Sequence, residues 1–73
     1  MTGAAAFEVT GPGVERTVES DGAALSLAIH YATRRDAPDG AAWYVRGVDG
    51  PRYLIEREIG GVVTVTPARG ERS

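Results

Sequence analysis

The chain contains no cysteine, no lysine and only one histidine, His30. The lack of cysteine excludes disulfide scaffolds, thiolate nucleophiles and the thiolate type of zinc site. A lone histidine, with no second histidine or paired carboxylate at ligand spacing, gives no nucleophile-and-base arrangement. His30 therefore reads as a solvated helix residue, and the expectation is a non-enzyme that holds no metal and no cofactor. Long apolar runs are also missing. No stretch approaches the roughly 20 residues of a membrane span, and Met1-Thr2-Gly3-Ala4-Ala5-Ala6 lacks the basic flank and apolar run of a signal peptide. The reading is cytoplasmic, without a membrane partner.

A basic excess is missing as well. The net charge is −2, and acidic and basic residues are interspersed, so no general positive field exists to collect nucleic acid. All eight basic residues are arginine, which together with abundant Ala, Gly and Val suits a GC-rich coding background. Arginine is also a favoured interface anchor, because its planar fork pairs with carboxylates and its face stacks on aromatics. With 73 residues the chain supports one domain. Burial of roughly a dozen apolar side chains has to offset the chain entropy, and self-association is one way to add to that burial.

Phe7-Glu8-Val9-Thr10 alternates apolar with polar and runs into Gly11-Pro12-Gly13, which predicts a strand and a chain reversal. Val14 to Glu19 alternates again, with Val14, Arg16 and Val18 on one side. This suits an edge strand that an inward-pointing Arg16 protects from stray pairing. Ser20 or Asp21 can cap a helix from Ala23 to about Arg35, with Leu25, Ala28, Ile29 and Ala32 as its apolar stripe and Ala24 and Tyr31 at the flank. Arg34 and Arg35 complement the free carbonyls of its last turn, and Pro38 stops it. Three further strands follow: Ala42–Val48, Arg52–Glu58 and Val62–Thr66. Their turns fall at Asp49-Gly50-Pro51 and Gly60-Gly61, and Pro67 closes the last strand.

The predicted fold is α+β: an antiparallel sheet of about five strands with one helix on one face, in the order ββαβββ. It spans residues 7–67 between flexible ends at 1–6 and 68–73. With the third turn at Asp49 to Pro51, Trp43, Val45, Tyr53 and Ile55 share a face that, with Val63 and Val65, meets Leu25, Ala28 and Ile29. The other face carries Tyr44, Arg46, Val48, Leu54 and Glu56 and has no second helix to cover it. These five are the candidate partner-binding residues. An exposed aromatic beside an arginine is the composition of an interface centre.

The glycine turns do not read as phosphate loops, because none joins a strand to a helix and no lysine follows. Glu56 and Glu58 share a strand face as a solvated pair. In outline alone, with no motif to carry it, a small antiparallel sheet with one helix resembles compact phage-encoded inhibitors, including some anti-CRISPR proteins. More distantly it is similar to double-stranded-RNA-binding domains, whose basic C-terminal helix is missing here. The first resemblance implies a small inhibitor or adaptor that works by occupying a partner's surface. The expected partner is another protein or a second copy of the chain. Two alternatives are nucleic-acid contact through Arg34, Arg35, Arg46 and Arg52, and a homodimeric structural role.

Overall fold

A computed structural model describes residues 6–68. Along the chain come β1 (Phe7–Gly11), β2 (Val14–Val18), α1 (Asp21–Ala32), β3 (Ala42–Gly47), β4 (Gly50–Arg57) and β5 (Val63–Pro67). The strands form one sheet in the order β2-β1-β3-β4-β5, and every neighbouring pair is antiparallel. This is the expected ββαβββ fold. The helix connection carries the chain from the β2 edge back across β1, so that β3 pairs with the other side of β1.

The expected flexible ends lie largely outside the described residues, at 1–5 and 69–73. Ala68, just past β5, donates its amide to the Arg52 carbonyl at 2.8 Å.

Burial alternates along the central strands. Val9, Trp43, Val45 and Ile55 are fully buried beneath the helix, while Tyr44, Arg46 and Glu56 are exposed on the opposite side. Val14 of β2 joins these buried strand residues, and from the helix Ala24, Ala28 and Ala32, one turn apart, complete the core. Small side chains there let the helix lie close on the sheet. The apolar stripe differs from the expected one at Ile29, which is half-buried and has no place in the core cluster. Leu27 and Tyr31 pack there together with Leu25. At about 100° per residue, Ala24, Leu27, Ala28 and Tyr31 fall on one side and Ile29 turns away from it.

The helix starts where expected: the Ser20 hydroxyl accepts from the Ala23 amide at 3.0 Å. It ends at Ala32, earlier than predicted, because its last carbonyls find other donors. Thr33 Oγ1 donates to the Ile29 carbonyl at 2.8 Å, and Arg57 of β4 donates to the Ala32 carbonyl at 2.8 Å and, just past the helix, to that of Arg34 at 2.9 Å.

Between β3 and β4 the turn is shorter than the sequence suggested. Gly47 pairs with Gly50, leaving Val48 and Asp49 as a two-residue turn and placing Pro51 inside β4. Continued without interruption, that turn would set Trp43 opposite Leu54. A β-bulge leaves Arg52 without a partner and brings Trp43 opposite Ile55, so the faces come out as predicted. The bulge also turns Arg52 and Tyr53 to the same side, where both reach Asp21 at the start of the helix: Arg52 Nη2 at 3.6 Å and the Tyr53 hydroxyl at 3.2 Å.

The helix packs on β1, β2, β3 and β4, and its cover runs out at β5. Val63 is half-buried at the margin, but Val65, predicted to lie under the helix, is 40% exposed.

Candidate interaction surface

The face opposite the helix is built from three cross-strand rows. The central row crosses all five strands as Glu15, Thr10, Tyr44, Leu54 and Thr66. On one side of it lie Thr17, Glu8 and Arg46; on the other, Ala42, Glu56 and Thr64. Among the described residues no element packs over these rows. Tyr44 stands on the middle strand with half of its surface exposed, and Leu54, directly opposite it, is half-buried. An aromatic and an aliphatic side chain thus form a small apolar centre inside a ring of threonines and charges.

Of the five residues singled out from the sequence, four share this face: Tyr44, Arg46, Leu54 and Glu56. Val48 does not join them. β3 ends at Gly47, so Val48 sits in the tight turn beyond the sheet, 84% exposed. Arg46 lies opposite Glu8, and the ion pairs among the described residues do not involve it. Its guanidinium is therefore available on the open face. Glu58, expected on the strand face with Glu56, follows the last residue of β4.

The four arginines of the nucleic-acid alternative are not brought together. Arg34 and Arg35 follow the helix C-terminus, and Arg34 pairs with Asp36 at 3.4 Å and lies over the Tyr31 ring. Arg52 lies near the helix start, with Asp21 and the Phe7 ring as its neighbours. Arg46 is on the opposite side of the sheet. His30 is exposed, with its ring edge-on to Tyr31.

Arg57 is the residue whose importance the sequence reading missed. Besides its bonds to the carbonyls of Ala32 and Arg34, its Nε donates to Asp39 at 2.8 Å. That bond holds the Asp39 carboxyl below its ordinary value of 3.8, with further help from the Gly60 backbone. A signal was present, since Arg57 has the parity of Tyr53 and Ile55 and so had to point toward the helix.

A cleft of about 310 Å³ lies beside the helix C-terminus, between the β1–β2 turn, Tyr31 and Pro38. Within it the Trp43 indole donates to the Pro12 carbonyl at 2.9 Å, and Arg34 pairs with Asp36 and lies over the Tyr31 ring. Within the described residues no helix is long and apolar enough to cross a membrane. Comparison of the chain with known protein families, with curated proteins and with solved structures gives no match in any of the three.

Proposed function

We propose that this chain is a non-enzymatic protein-binding module whose open sheet face occupies the surface of a partner protein, as an inhibitor or an adaptor would. The observation that supports this is Tyr44, half exposed on the middle strand with Leu54 beside it and Arg46 two residues along. Tyrosine and arginine are the side chains that most often carry interface energy, and they do so near the centre of a patch whose polar rim excludes water. Thr10, Thr66, Glu8 and Glu56 supply such a rim here.

The double variant Tyr44→Ala, Arg46→Ala tests it. Neither side chain belongs to the core, so the circular dichroism spectrum and melting temperature should stay close to the parent's. Recovery of the partner from cells of the native host should fall about thirtyfold or more, the effect of losing one strong anchor. Undiminished recovery by a folded double variant would count against the open face. The nucleic-acid reading needs the separated arginines to act together, and labelled single-stranded DNA or RNA is expected to remain unshifted at low salt.

A further inference from the structure

The two edges of the sheet are unlike. β2 carries Glu15-Arg16-Thr17 along its exposed length, and charges of this kind discourage pairing with another strand. The other edge, β5, reads Val63-Thr64-Val65-Thr66-Pro67, and no charge occurs from Gly60 to Ala68. The Glu58 amide donates to the Val62 carbonyl and the Ala68 amide to the Arg52 carbonyl, so the even-numbered residues of β5 bond inward to β4. The amides and carbonyls of Val63 and Val65 accordingly point outward, with no strand beside them among the described residues. On the helix side of the same strand, Val65 is exposed where the helix cover stops.

We infer that β5 pairs antiparallel with β5 of a second copy, joining two sheets into one of ten strands about a two-fold axis. The uncharged strand fits a copy of itself. Antiparallel self-pairing sets valines and Pro67 against valines and Pro67 on the helix side, and threonines against threonines on the open side, with no like charges opposed. Charged β2 pairs poorly with itself, so assembly stops at two instead of continuing as a fibre. Both helices fall on the same side of the joined sheet, and the strip of Val63 and Val65 left bare by each lies in the gap between them. Edge pairing alone buries less than the roughly 1,200 Å² of a standard stable interface, so the association depends on concentration. Of the open face this interface touches only the Thr64 and Thr66 margin on β5, and Tyr44, Leu54 and Arg46 stay uncovered in the dimer.

Sedimentation velocity of the full chain over a concentration series provides the test, with Val65→Pro and Val65→Lys as variants. Proline removes an outward amide that β4 does not use, and lysine places a charge on the bare edge. The expected result is reversible dimerisation of the parent and of Tyr44→Ala, and a monomer for both Val65 variants at every concentration. Hydrogen exchange on the parent gives a readout that does not rely on the variants folding: the amides of Val63 and Val65 should slow as concentration rises. A parent that stays monomeric throughout overturns the inference. So does a dimer that survives in folded Val65 variants, or one that forms without protecting those two amides.

Discussion

Single atoms decide several features of this small protein. Gly11 lies under the Trp43 indole, and a Cβ built there would meet Trp43 Cδ1 at 2.5 Å and the Ala42 carbonyl oxygen at 2.9 Å. Gly11→Ala should cost about 1–3 kcal/mol, read as a lowered melting temperature, because both obstacles are rigid. Arg57 is equally particular. A lysine cannot reproduce the fork that serves Asp39 and the carbonyls of Ala32 and Arg34 together, and Arg57→Lys should cost about 1–3 kcal/mol in chemical denaturation. Asp39 links the same contact to pH. Its pKa is lowered in the folded state, so its contribution is fully present above 3.8 and is lost as pH falls through the depressed value. The parent should therefore lose more melting temperature than Asp39→Asn between about pH 5 and about pH 2. That Trp43 and Tyr44 point to opposite faces was legible from strand alternation; which of them is buried depended on the turn that follows. The reach of Arg57 to the helix end, 25 residues back along the chain, had no local sign beyond its parity.

At the scale of elements, the strands announced themselves through β-branched alternation and glycine turns, and the helix through Ser20 and the stop before Pro38. Helix phase was harder to read. From Ala23 to Ala32 only Ser26 and His30 are polar, and alanine suits either side, so the pattern marks a helix without fixing which way it faces. Packing against Trp43, Val45 and Ile55 decided the matter in favour of the small residues. Ala28→Leu should then destabilise by about 1–3 kcal/mol, seen as a shifted denaturation midpoint, because a larger side chain has to lift the helix off the sheet. The two-residue turn and the bulge at Arg52 escaped the sequence reading too. Each alone would have exchanged the faces of β4; together they restored them, and four of the five candidate side chains ended on one surface.

At the scale of the whole molecule, the described residues form a sheet covered on one side. Its uncovered side and its uncharged edge meet at Thr64 and Thr66, and the experiments on Tyr44 and on Val65 address them separately. The way the helix is fastened bears on both. Tyr53 holds the Asp21 end and Arg57 holds the Ala32 end, so a single strand, β4, secures the helix at both extremities like a beam bolted at each support. Lifting either extremity breaks a side-chain bond to the strand that also carries Leu54 and borders β5, so the covered and the uncovered side of the sheet are tied through one element.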